Sequence, residues 1–112
     1  MGLFSNTSSR TNSSQSDAAL RPITFRVSSD ISIKKAYEVL QKYESTSLSL
    51  VEDYHEIYLV KNGVEFTLTF VGDLGKTHLT ILAFSEKHPL RLKKGLKELT
   101  AFIRKELETY IE

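Results

Sequence analysis

A cluster of basic residues near the C-terminus carries the clearest chemical bias in this chain. Its members are Arg91, Lys93, Lys94 and Lys97. Pro89 comes just before them, and because proline is favoured at the start of a helix, the cluster is predicted to lie in the first helical turns. Cations there oppose the helix dipole, at a cost of roughly 0.3 kcal/mol each. The cluster therefore predicts a binding patch for an anionic partner.

Acidic residues gather at the opposite end of the same segment. They are Glu106, Glu108 and Glu112. A helix charged against its dipole at both ends is not optimised for stability alone, which favours a functional role for the basic cluster. The alternative is an ordinary solvated helix face, on which Lys94 and Glu98 pair across one helical turn.

No pattern typical of catalysis or metal binding accompanies this cluster. The chain has three histidines and no cysteine, and a metal site needs three or four ligands that converge on one point. The spacing of His55, His78 and His88 supplies no such set, so each is predicted to be structural or exposed. We therefore predict no catalytic residue, no metal site and no cofactor, and hence a protein that is not an enzyme.

The segment Gly72–Thr77 ends in Gly-Lys-Thr, as a phosphate-binding loop does. Gly72 and Gly75 lie too close together for the full motif G-x-x-x-x-G-K-[ST]. The segment is also predicted to join two strands instead of opening a helix. Both features exclude a nucleotide-binding loop.

The composition changes abruptly near residues 18–21. Between Ser5 and Gln15 every residue except Arg10 is Ser, Thr, Asn or Gln. Such a stretch has too little apolar surface to offset the entropy of ordering it. Residues 1–20 are therefore predicted to form a disordered tail, and residues 21–112 a single α+β domain.

Charge and hydropathy exclude several classes of protein. The chain has 112 residues, a net charge of +1 and 40% hydrophobic residues, which is ordinary for a globular domain. The lack of cysteine excludes a disulfide scaffold, and no apolar run reaches the ~18 residues that cross a bilayer. The cytoplasm is the expected location, with peripheral membrane attachment as an open alternative. Gly2 fits N-terminal myristoylation only imperfectly, because Asn6 stands where that motif has Ser or Thr.

The remaining sequence divides into strands and helices. Residues 23–28 alternate between apolar and polar, which predicts a half-buried strand. Ser29 or Asp30 then supplies the N-cap of an amphipathic helix that ends near residues 43–45. Further strands are predicted at 46–52, 55–61, 64–71 and 76–85. Asn62-Gly63 predicts a hairpin with a type I′ turn. The last strand is apolar on both faces and is predicted to be central or partly covered on its second face.

A long amphipathic helix is predicted to follow Pro89 and to run for about 23 residues. Its apolar positions are Leu92, Leu96, Leu99, Ile103, Leu107 and Tyr110. The order β-α-β-β-β-β-α then predicts an α+β fold, an antiparallel sheet with two helices packed on one face. The opposite face is predicted to be polar and solvated, with Thr24, Arg26, Glu65, Thr67, Thr69, His78 and Thr80.

This pattern resembles two known families over about residues 22–111. The features that carry the resemblance are Ser28-Ser29-Asp30 at the end of the first strand, Ala36-Tyr37-x-x-Leu40 in the first helix, and Pro89-Leu90-x-Leu92 in the last. The chain looks like a pared-down helix-grip domain of the START/polyketide-cyclase type, which implies a hydrophobic ligand between sheet and long helix. It is also similar to the kinase-associated (KA1) domain, which implies binding to anionic membranes. That resemblance implies headgroup contacts at Arg91, Lys93, Lys94 and Lys97.

The leading hypothesis from the sequence is a non-enzymatic binding or adaptor module. It would dock onto a partner protein or an anionic membrane surface through the basic start of the last helix. The open alternatives are a carrier of a small hydrophobic ligand held between the sheet and the C-terminal helix, and nucleic-acid binding through the same basic stretch. Self-association into a homo-oligomer through the C-terminal helix is also left open.

Overall fold

The computed structural model describes residues 9–10, 22–28, 31–73, 76–85 and 89–112. Most of the predicted tail, including Gly2, Leu3 and Phe4, lies outside the described residues, as do Ser29, Asp30 and His88. Within the predicted tail, Ser9–Arg10 form a two-residue strand, β1. The register pairs Ser9 with Ser85 and Arg10 with Phe84.

The described residues form one antiparallel sheet with two helices, which confirms the predicted α+β class. The other strands are β2 (Ile23–Val27), β3 (Ser47–Val51), β4 (Glu56–Lys61), β5 (Val64–Asp73) and β6 (Lys76–Ser85). The sheet runs in the order β6-β5-β4-β3, and both β1 and β2 pair with β6 on its other side. Strand β6 is therefore central, as its two apolar faces predict.

The first helix, α1 (Ile33–Leu40), is shorter than predicted at both ends. Its N-cap is Ser32, whose Oγ accepts a hydrogen bond of 3.1 Å from the backbone N–H of Lys35. The predicted cap at Ser29 or Asp30 is wrong because Ile31 enters the core, 6% exposed, before the helix begins. After Leu40 the chain tightens into i→i−3 hydrogen bonds that end at Tyr43, a common way for a helix to finish.

The long helix, α2 (Pro89–Glu106), has 18 residues. The predicted extension to residue 111 is wrong, because the chain turns at 107–110 and Ile111 pairs with Val27 at the edge of β2. Two hydrogen bonds fix this return: Ser28 N–H donates to the Tyr110 carbonyl at 2.7 Å, and Glu112 N–H donates to the Arg26 carbonyl at 2.8 Å. At this end of the chain, backbone pairing with β2 therefore replaces a continuation of the helix.

The hairpin between β4 and β5 forms as predicted. Asn62 and Gly63 have φ values of 52° and 78°, and a type I′ turn requires positive φ at both positions. The register then pairs Lys61 with Val64. Because this turn sets the register of β4 on β5, it also decides which side chains face the helices.

The core lies between α1 and α2 and one face of the sheet. Its largest fully buried side chains include Phe66, Leu68, Leu79, Leu92 and Leu99. The opposite face is open, and it holds the seven polar residues predicted for it. It also holds partly exposed apolar side chains, namely Tyr58, Val71, Leu82 and Phe84, so it is less polar than the sequence predicts. Neither helix of the described residues combines the length and apolarity needed to cross a bilayer.

Candidate functional site

Helix α2 positions the basic cluster by anchoring one stripe of apolar side chains in the core. Leu92, Leu96, Leu99, Ile103 and Leu107 are each at most 3% exposed. Because residues three and four apart share a helix face, the side chains on either side of this stripe form two flanks. One flank turns towards α1 and the other towards β2, and the two have different chemistry.

On the β2 side, the flank of α2 lines a groove of about 730 Å³. We call it the α2 groove. Its described lining residues are Ile23, Leu90, Lys93, Lys94, Leu96, Lys97, Thr100, Ala101 and Arg104. The described lining contains four cations and no acidic residue, while its remaining members are apolar apart from Thr100. The groove is therefore an apolar trough with a cationic rim.

Two of the rim cations have no ionic partner among the described residues. The ion pairs of this part of the chain are Arg26–Glu112, Lys34–Glu52 and Lys42–Glu106. Neither Lys94 nor Lys97 takes part in one, and the pairing of Lys94 with Glu98 that an ordinary solvated face would allow does not form. Arg104 is placed differently, with its guanidinium carbon 4.7 Å from the centre of the Phe25 ring. Lys94 and Lys97 thus leave their positive charges open to solvent or to a ligand.

The structure brings three of the four predicted cluster residues to the groove and separates the fourth. Lys93, Lys94 and Lys97 line it. Arg91 points to the α1 side, where its Nη1 donates a 3.0 Å hydrogen bond to the Asn62 carbonyl. Arg104, which sequence reasoning missed, joins the rim because it follows Lys93 and Lys97 on the same helix face. Arg104 lies seven residues, or about two helical turns, after Lys97, so the helical repeat of the sequence could have predicted its place on this face.

The groove also holds one exposed apolar side chain and one buried polar atom. Leu90 is 64% exposed although it follows directly on the first residue of α2. The hydroxyl of Thr100 is buried and has no hydrogen-bond partner among the described residues, which is a costly state for a polar atom. Both features are typical of a wall that meets another molecule.

The α1 side of α2 is filled by internal contacts instead. The Tyr43 and Phe102 rings lie 4.8 Å apart, and Lys61 Nζ sits 4.1 Å above the Tyr43 ring. Gly95 lets the helix approach β5, because a Cβ there would lie 3.2 Å from Phe66 Cζ. Burial, together with the nearby charge of Glu98, raises the pKa of Tyr43. A smaller pocket of about 400 Å³ remains here and shares Leu90 and Lys94 with the α2 groove.

The other residues considered from the sequence do not form a site within the described part of the chain. No group of three His, Cys, Asp or Glu residues there could hold a metal ion. His55 ends a 3-10 turn in the left-handed conformation with φ of 53°, and His78 lies in β6, where it pairs with Val71 and Arg26. Gly72 and Asp73 at the end of β5 pair antiparallel with Thr77 and Lys76 at the start of β6, unlike the strand-to-helix arrangement of a phosphate-binding loop.

No model of a known protein family, no curated protein and no solved structure matches this chain. The resemblance to helix-grip and kinase-associated domains therefore stays a prediction.

Proposed function

We propose that this protein is a non-enzymatic binding module that docks onto an anionic membrane surface through α2. The observation that carries the proposal is the α2 groove, in which apolar lining and a rim of cations meet without an acidic residue among the described lining. An anionic lipid presents the complementary pair of features, a negative headgroup next to an apolar chain. Lys94 and Lys97 would attract the headgroups, and Leu90 would contact the apolar layer.

The expected binding free energies fit reversible attachment of the protein to a membrane. A basic residue near an anionic membrane contributes about 1 kcal/mol, and burying one exposed leucine side chain contributes roughly 2 kcal/mol. A few cations and Leu90 together therefore support peripheral binding that salt weakens.

Vesicle co-sedimentation tests this function. We expect binding to vesicles that contain phosphatidylserine, little binding to pure phosphatidylcholine, and loss of binding at high salt. The double variant Lys94→Glu/Lys97→Glu should bind at least about tenfold more weakly, since it reverses two charges that each contribute about 1 kcal/mol.

Lys35→Glu is the matched control for the single variant Lys97→Glu. Lys35 is exposed on α1, so its reversal changes the net charge equally but leaves the groove intact. If Lys35→Glu and Lys97→Glu weaken binding equally, or if the wild type ignores anionic vesicles, the proposal is wrong.

A second candidate is a carrier of a single-chain amphiphile with an acidic headgroup. The volume of about 730 Å³ favours it, because small-molecule sites commonly enclose roughly 300–1,000 Å³. The Thr100 hydroxyl, which has no hydrogen-bond partner among the described residues, would then have an acceptor or donor in the ligand.

The variant Ala101→Phe separates the two candidates. Ala101 is an exposed residue of the groove lining, so a phenyl ring there fills space without changing charge. A carrier would lose binding of a fluorescent long-chain carboxylate measured without vesicles. A membrane-docking module would show no such binding and would keep its affinity for anionic vesicles.

A further inference from the structure

The two outer edges of the sheet are finished differently. Strand β2 forms one edge, and residues 110–112 cover it with two backbone hydrogen bonds and the bridge from Val27 to Ile111. Strand β3 forms the other edge and, among the described residues, pairs only with β4. Every second residue of β3 therefore turns its backbone N–H and C=O away from the sheet, where no described strand receives them.

The β3 edge also lacks the features that usually keep such an edge monomeric. Exposed edges are commonly protected by charged side chains or proline. From Ser45 to Val51 the sequence is Ser-Thr-Ser-Leu-Ser-Leu-Val, which contains neither. Two strands of this composition can approach each other without placing like charges opposite one another.

We propose that β3 pairs with β3 of a second copy of this chain, antiparallel about a two-fold axis. Antiparallel pairing keeps directly opposite residues on the same face of the sheet. With Ser49 on the axis, Leu48 of one copy lies opposite Leu50 of the other. At the axis, Ser49 of one copy lies opposite Ser49 of the other. Each edge then supplies backbone donors and acceptors for the outward groups of the other edge.

The side chains of β3 suit this arrangement on both faces. Leu48 and Leu50 are partly buried and pack against the edge of the core, so pairing would join the two cores through them. On the open face Ser47 and Ser49 are exposed and small, which leaves room for a neighbouring strand. The result is one sheet that runs continuously through both copies.

An exposed aromatic residue lies directly beside the edge. Tyr54 is 70% exposed in the 3-10 turn Glu52–Tyr54 that follows β3. Tyrosine is enriched among the residues that dominate binding energy at protein interfaces. Tyr54 therefore lies just beyond the end of the paired strands, where a contact at the rim of the interface is expected.

This inference does not depend on the proposed membrane function. The α2 groove is lined by Ile23 of β2, at the end of the sheet opposite to β3. Variants at β3 should therefore leave vesicle binding unchanged, and variants of Lys94 and Lys97 should leave self-association unchanged.

Sedimentation equilibrium over a range of protein concentrations tests the pairing. The wild type should shift from monomer towards dimer as concentration rises, with little dependence on salt because no charge lies in β3. Ser49→Lys places two like charges opposite each other at the axis, so it should weaken the dimer at least about tenfold. The matched control is Thr24→Lys, an exposed position on the same sheet face at the covered edge, which should dimerise as the wild type does.

Amide hydrogen exchange of the wild type at low and high concentration is the second measurement, and it needs no variant. Alternate amides between Ser47 and Val51 should gain protection at high concentration. A wild type that stays monomeric, protection gained elsewhere but not in β3, or equal weakening by Ser49→Lys and Thr24→Lys would each overturn the proposal. A monomer whose β3 amides are protected only by an added extended peptide would assign the edge to another protein's strand.

Discussion

At the β2 edge of the sheet the end of the chain folds back and pairs with the outer strand, whereas at the β3 edge no described residue does so. Tyr110 and Glu112 satisfy the outward backbone groups of Ser28 and Arg26, and Glu112 adds an ion pair to Arg26. In the described part of the chain no segment covers the outer side of β3, and the strand contains no charged residue. The same sheet therefore contains one edge protected against association and one edge suited to it.

The two flanks of α2 show the same contrast, between polar or charged groups that have partners within the fold and groups that do not. On the α1 side, Tyr43 packs on Phe102 and Arg91 is bonded to the Asn62 carbonyl. On the β2 side, Lys94 and Lys97 have no ion pair among the described residues, and the Thr100 hydroxyl has no partner. Open groups of this kind are costly for stability alone, so their grouping in two places points to two contact surfaces.

The largest effect is expected when the covered edge is opened. Removing Tyr110–Glu112 deletes the two backbone hydrogen bonds to Arg26 and Ser28, worth about 1 kcal/mol each, and the partial burial of Tyr110 and Ile111. We expect the free energy of unfolding in urea to fall by about 3 kcal/mol. Light scattering should also detect association through the exposed edge of β2.

A full-length control separates the backbone from the side chains in that experiment. Tyr110→Ser/Ile111→Ser keeps the main-chain hydrogen bonds but removes the apolar contacts. It should lose less stability than the truncation and should not associate. If the truncated chain is as stable as the wild type and stays monomeric, the return segment does not protect the edge.

The sequence predicts the α+β order, the Asn62-Gly63 hairpin and the buried stripe of α2, because each rests on local periodicity or turn chemistry. It does not predict the return of residues 110–112. Tyr110 and Ile111 fit a continuing helix as well as a strand, and only the nearby edge of β2 decides between them. The groove is missed for a similar reason, since the pairing of α2 with Ile23 comes from residues about 70 positions apart and leaves no local pattern.

A smaller effect is expected for the ion pair at the covered edge. Arg26 Nε and Glu112 Oε1 lie 2.9 Å apart, but each side chain is 48% exposed. Solvent screening therefore limits the coupling to below about 1 kcal/mol. A double-mutant cycle with Arg26→Ala and Glu112→Ala, read from urea unfolding at low and high salt, measures it. Coupling of several kcal/mol that persists at high salt would show that the ion pair, more than the backbone bonds, holds the return segment.

The smallest effect concerns protonation next to the open edge. Tyr58 pairs with Ser49 of β3, and its hydroxyl donates a hydrogen bond to Glu56 Oε1. Loss of that bond on ionisation, helped by desolvation and the charge of Glu56, raises the pKa of Tyr58. A raised pKa means that the folded state holds the Tyr58 proton more tightly than the unfolded state does. The resulting contribution to folding stability is therefore fully present below the usual tyrosine pKa, and it is lost as the pH rises through the pKa of Tyr58 in the folded state.

Glu56→Gln should therefore lower the pKa of Tyr58 towards its ordinary value, which NMR titration of ring-labelled tyrosine can follow. Glu65→Gln is the control, since Glu65 is exposed on the same sheet face but contributes nothing to the shift. Because a phenolate beside Ser49 would add like charge to both copies of the open edge, dimerisation should weaken at high pH and do so at lower pH in Glu56→Gln. A dimer that is equally stable on both sides of the Tyr58 titration would place the contact away from β3, and the two edges of the sheet would then no longer differ in function.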